Sequence, residues 1–170
     1  RPLPTGQGTH FGVGHPEDPK GVVENEDYVG ALAVFANGAQ ASFETCRAIF
    51  GPKCEMSFEV NGTKGALKWN FERLNELELY LPTGDSVHDG YTKLLGGPRF
   101  PFHGRFNPGD GIGMGYEDLK CIEAYHFLRS IVEGKQYEPS FLSARRLAEV
   151  QSAMMRSWNS GQWEKITTIS

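Results

Sequence analysis

The apolar residues change period once along this chain, and that change limits the fold more than any single motif does. Between residues 27 and about 81 the period is two. Tyr28, Gly30, Leu32 and Val34 alternate with Val29, Ala31, Ala33 and Phe35, and further on Met56, Phe58 and Val60 alternate with Glu55, Ser57 and Glu59. A period of two sends successive side chains to opposite faces of a pleated strand. Asn37-Gly38 directly follows the first run and predicts a hairpin through a type I′ turn, whose two central residues need positive φ. The return strand is expected at 39–48, and later strands at 55–60, 66–69 and 76–81, with Asn61-Gly62-Thr63-Lys64-Gly65 as a turn. A further short strand fits within 91–95.

From residue 116 the period is that of a helix. Over 116–133, Cys121, Ala124, Tyr125, Leu128, Ile131 and Val132 make one stripe, expected to face inward, with Glu123, His126, Arg129, Ser130 and Glu133 opposite. Gly134 is the expected left-handed cap. A second helix, about 143–160, turns Leu147, Val150, Met154 and Trp158 inward and closes at Gly161. Strands followed by helices predict an α+β fold: a mostly antiparallel open β-sheet with helices packed on one face. Ala31, Ala33, Phe35, Ala41 and Phe43 make the other face too apolar to leave in water, so an oligomer interface is expected there. Residues 1–26, rich in Pro and Gly and without period, form an irregular leading segment, and 27–170 form one α+β domain.

Several function classes are excluded by composition. A net charge of -4 and no basic stripe interleaved with aromatics argue against nucleic acid. Cys46, Cys54 and Cys121 are odd in number and widely spaced, which suggests neither a disulfide framework nor a thiolate zinc site. No apolar run approaches the roughly 20 residues of a membrane span, and no signal peptide is visible, so a cytoplasmic location is expected. The Gly-dense runs at 109–115 and 12–14 both miss the Gly-x-Gly-x-x-Gly spacing of a dinucleotide cradle, and no Gly-x-Ser-x-Gly hydrolase motif occurs.

The succession Asp27-Tyr28, Phe35-Ala36-Asn37-Gly38-Ala39, Glu59-Val60-Asn61-Gly62-Thr63-Lys64-Gly65-Ala66-Leu67, Asn75-Glu76-Leu77, Gly115-Tyr116, Phe127-Leu128-Arg129-Ser130-Ile131, Pro139-Ser140-Phe141 and Ser160-Gly161-Gln162-Trp163 runs nearly the length of the chain. In order and spacing it resembles the C-terminal domain of the glucose–fructose oxidoreductase/inositol dehydrogenase/MocA family, in the branch that acts on sugars, anhydrosugars and inositols.

The resemblance implies a division of labour. An N-terminal Rossmann domain binds NAD or NADP and, with a Glu-Lys-Pro lysine and an Asp/His pair, does the chemistry. The C-terminal domain closes over the substrate and builds a homodimer or tetramer. Residues 27–170 are then a substrate-binding and oligomerisation domain. No catalytic residue and no cofactor site is expected within the chain, which alone would be inactive. The parent protein would be an NAD(P)-dependent oxidoreductase acting on CH–OH groups.

For the pocket wall the resemblance points to the loop before the first helix and to that helix's first turn, where His103, Arg105, Asn107, Asp110, Tyr116 and Asp118 are the candidates. Polyols need donors and acceptors at fixed angles, which a planar Arg beside Asp or Asn supplies. His10 and His15 have the spacing of a zinc pair, yet their segment is too rich in Gly and Pro to fix ligand geometry, so they are assigned to substrate and no metal is expected. The alternative is a free-standing, non-catalytic module that binds carbohydrate or assembles a partner.

Overall fold

The computed structural model describes residues 16, 17, 19–85 and 87–166. The chain divides into two compact units, Arg1–Phe50 and Gly51–Ser170.

The first unit holds an antiparallel hairpin of β1 (Tyr28–Val34) and β2 (Gln40–Cys46), in register from Tyr28 opposite Cys46 to Val34 opposite Gln40. Phe35 N donates to Ala39 O at 2.8 Å, and Gly38 N donates to Phe35 O at 2.8 Å. Only Gly38 has positive φ there, 86°, so the expected type I′ turn is corrected to a longer loop with one left-handed residue. The extra loop residue confines the demand for positive φ to a single position, which glycine meets without a Cβ penalty. Asn37 Oδ1 accepts from Ala39 N at 3.1 Å and braces the turn. At the open end Arg47 Nε donates to Asp27 Oδ1 at 2.9 Å. Ala31, Ala33 and Ala41 are half-buried, whereas Tyr28, Leu32 and Val34 on the opposite face are exposed.

The second unit contains a four-stranded antiparallel meander, β3 (Ser57–Gly62), β4 (Gly65–Asn70), β5 (Glu76–Tyr80) and β6 (Thr92–Leu95), paired in chain order. Gly62 pairs with Gly65 across the β3–β4 turn. A Cβ on Gly65 would lie 2.6 Å from Tyr80 O, so this position excludes any side chain. Trp69 Nε1 donates to Leu74 O at 3.1 Å, and the Trp69 ring meets Phe58 at 5.5 Å and Phe71 at 6.0 Å between centroids. These contacts seat the indole against the sheet with its N–H satisfied, as a half-buried Trp requires.

Three helices follow: α1 (His103–Phe106), α2 (Tyr116–Glu133) and α3 (Phe141–Ser160). Antiparallel sheets with helices make the fold α+β, as expected. Gly134 (φ 60°) and Gly161 (φ 66°) close α2 and α3 in the left-handed conformation, also as expected. Ser140 Oγ accepts from Ser143 N at 3.2 Å, which starts α3 at Phe141, before the expected residue 143.

The inward stripe of α2 is corrected. Leu128 is 60% and Val132 83% exposed, while Asp118, Leu119, Ile122, His126, Arg129 and Ser130 are the half-buried residues. The reason is the segment 134–140, which folds back along the polar side of α2. Arg129 Nη2 donates to Tyr137 Oη at 2.7 Å, Tyr137 N donates to Ser130 Oγ at 3.2 Å, and His126 Nδ1 lies 2.9 Å from Glu138 O. In α3, Val150 and Met154 are half-buried as expected and Ala153 is buried, but Leu147 and Trp158 are exposed. Among the described residues no helix is long and apolar enough to cross a membrane.

Candidate functional site

The second unit carries a loop between β6 and α2, residues 96–115, that is dense in glycine for a packing reason. Gly96 N donates to Asn75 O at 2.8 Å and Gly111 N donates to Gly96 O at 2.9 Å, so two stretches of the loop lie backbone against backbone beside the sheet. A Cβ on Gly97 would stand 3.0 Å from Asp110 Cα, and one on Gly113 would stand 2.6 Å from Asn75 Cγ. Only glycine permits both approaches.

This folding leaves an open groove of about 340 Å³ between β6 and the loop, lined by Lys93, Leu95, Arg99, Phe100, Asp110 and Gly111 among others, with the Arg99 and Asp110 side chains 84% and 64% exposed. Arg99 Nη2 lies 3.8 Å from Asp110 Oδ2, an exposed ion pair that sets a guanidinium donor beside a carboxylate acceptor. Lys93 Nζ donates to Glu76 Oε2 at 2.7 Å and holds the Glu76 carboxyl below the usual carboxylate range. Leu95 and Phe100 supply apolar wall. Donor, acceptor and aromatic face together suit a ligand with both hydroxyl and C–H surfaces.

Of the residues expected at the site, Asp110 lines the groove. His103 begins α1 and is half-buried, its ring 6.0 Å from Phe100 and close against Gly96, where a Cβ would stand 2.6 Å from His103 Cε1. Asn107 caps the end of α1, its N–H donating to His103 O at 2.9 Å. Among the described residues, His103 Nδ1 and Asn107 Nδ2 are buried atoms without a hydrogen-bond partner. Arg105 is exposed. Tyr116 is exposed as well, with the Lys120 ammonium 5.5 Å from its ring centroid. Asp118 Oδ2 accepts from Gly115 N at 2.8 Å and closes the start of α2. His10 and His15 lie outside the described residues.

Phe102, just ahead of α1, has φ 67°, a left-handed conformation that is costly for a bulky side chain. Its ring is held against His126, 5.2 Å between centroids, and Tyr125, 6.3 Å.

Lys93, Arg99 and Phe100 were not among the candidates. The available signal is Arg99-Phe100 set between Pro98 and Pro101, a rigid bracket beside Gly96-Gly97. Lys93 gives none, because a strand lysine is ordinarily a solvated residue.

Two of the loop glycines are taken up by packing, Gly97 against Asp110 and Gly113 against Asn75, and are closed to a phosphate. The start of α2, the longest helix next to the loop, already carries the Asp118 carboxylate on Gly115 N–H, where a phosphate would meet like charge.

The antiparallel strands and the helices that follow them define an α+β domain. Residues 5–166 match the C-terminal alpha/beta domain of the GFO/IDH/MocA oxidoreductase family, and the chain belongs to that family. Levoglucosan dehydrogenase of Pseudarthrobacter phenanthrenivorans is 33% identical over 171 residues, covering 100% of this chain and 44% of that protein. A structure of levoglucosan dehydrogenase in complex with NADH and levoglucosan superimposes with a TM-score of 0.84 at 33% identity, over 91% of this chain and 42% of the other. An oxidoreductase domain protein from Kribbella flavida gives 0.81 at 33% identity, over 86% and 39%. The chain thus spans less than half the length of these relatives.

Proposed function

We propose that these residues form the substrate-side domain of a longer NAD- or NADP-dependent dehydrogenase that oxidises a CH–OH group of a sugar or polyol, inositols included. The observation that carries this reading is the groove in which Arg99, Asp110 and Phe100 converge beside β6. An open Arg–Asp pair reads neighbouring hydroxyls, and an aromatic face accepts the C–H side of a sugar ring. Levoglucosan dehydrogenase, a similar protein with a sugar-derived substrate in its name, supports the substrate class. Hydride transfer is assigned to a nucleotide-binding part outside these residues, because no Gly-x-Gly-x-x-Gly spacing occurs within them.

His103, Arg105, Asn107, Tyr116 and Asp118 remain part of the proposed wall, and His10 and His15 remain proposed substrate ligands on the sequence reading alone. A second copy of the domain covering the face of Ala31, Ala33, Phe35, Ala41 and Phe43, where Phe35 and Phe43 are exposed, belongs to the same proposal, as does a cytoplasmic location. Light scattering tests the pairing: a dimer or tetramer is expected, and a strict monomer at tens of micromolar would contradict it.

The test of function is to assay the complete protein carrying these residues with NAD and NADP against anhydrosugars, pyranoses and inositols. Cofactor reduction with at least one of them is expected. Carbohydrate binding without any reduction would favour the free-standing module instead.

A further inference from the structure

We infer that Asn75 is a positioning residue for the proposed sugar site: it fixes the loop that carries Asp110 and thereby sets the width of the groove. The inference rests on the reading of that groove as the substrate wall. Asn75 immediately precedes β5, is half-buried, and lines no part of the groove itself.

Its hydrogen bonds are those of a strand partner compressed into one side chain. Oδ1 accepts from Met114 N at 2.7 Å and Nδ2 donates to Met114 O at 2.9 Å, so both polar groups of one loop residue are satisfied by one amide. Its backbone O accepts from Gly96 N at 2.8 Å, extending the β5–β6 pairing one step beyond Glu76 opposite Leu95. Asn75 therefore grips the 96–115 loop near both of its ends. Between the grips, Gly111 N donates to Gly96 O and brings Asp110 across from β6.

One glycine leaves room for the amide: a Cβ on Gly113 would collide with Asn75 Cγ. Alanine at position 75 leaves Met114 N–H and C=O without partners, and an aspartate keeps an acceptor but sets a carboxylate against the Met114 carbonyl. Either change frees the Met114 end of the loop and leaves Asp110 held from one side only, by the backbone bonds through Gly96.

The experiment is a double-mutant cycle in the complete protein. Asn75→Ala is expected to raise KM for the sugar about tenfold while KM for the nicotinamide cofactor changes by less than about twofold. With Asp110→Ala already present, Asn75→Ala is expected to add no more than about twofold, because it acts through Asp110. Gly113→Ala, which pushes Met114 off an intact Asn75, should reproduce the KM rise and covers the case in which Asn75→Ala folds poorly. If Asp110→Ala raises KM but the Asn75 and Gly113 variants leave it unchanged, or add independently, the positioning role is overturned and the site reading stands. If Asp110→Ala itself has no effect, the site reading falls and takes the positioning role with it.

Discussion

Glu138 shows how a single side chain sets a helix start. Its carboxylate accepts from Ser140 N at 2.9 Å, from Ser140 Oγ at 3.0 Å and from Ser143 Oγ, gathering the first polar groups of α3 around one charge. The Ser143 hydroxyl and then the Ser140 hydroxyl hold the Glu138 carboxyl below its ordinary value. A carboxyl depressed in the folded state stabilises fully above its unfolded pKa, and that contribution is lost as pH falls through the folded pKa. The unfolding midpoint of the native protein should therefore fall more steeply than that of Glu138→Gln between about pH 5 and about pH 3. Parallel curves for the two proteins would remove Glu138 from the account. Glu138 is exposed, so solvent screening keeps the effect small.

At this scale Asp110 stands out in the sequence as an acid in a Gly-rich approach to a helix, and its role as a sugar ligand is a proposal. Asn75 does not stand out: its partner Met114 lies 39 residues away, and no local spacing announces that pairing.

Elements were read from period and glycine, and where those govern, the reading matched the fold. Gly134 and Gly161 stand at the left-handed ends of α2 and α3 because no other residue takes that conformation so readily. Gly134→Ala should cost about 1 kcal/mol in urea unfolding. Gly65→Ala should cost more, because its Cβ would meet the backbone oxygen of Tyr80, which cannot withdraw without breaking the β4–β5 pairing. Equal midpoints for Gly65→Ala and the native protein would contradict the observed turn.

The facing of α2 was not legible from period. An apolar stripe predicts burial only where something covers it, and here the 134–140 segment offers hydrogen-bond partners to His126, Arg129 and Ser130 on the other side. Likewise the Asn37-Gly38 pair marked the hairpin correctly, but loop length decided how many residues took positive φ.

On the scale of the whole molecule, the chain is a family domain matched over residues 5–166 and less than half of each relative compared. Its order of strands, its two long helices and its family were legible, because they follow from patterns spread along the chain, whereas the short α1 was not. The groove was only partly so, since it arises where β6 and a distant loop meet. The central claim is that these residues choose the sugar while another part handles the nucleotide. Domain exchange tests it most directly: residues 5–166 replace the matching part of levoglucosan dehydrogenase, and NADH binding and kcat/KM across a sugar panel are measured. The expected hybrid keeps NADH binding and shifts its sugar preference away from levoglucosan toward that of the complete protein. A hybrid that folds, binds NADH and retains the original preference unchanged would contradict the account.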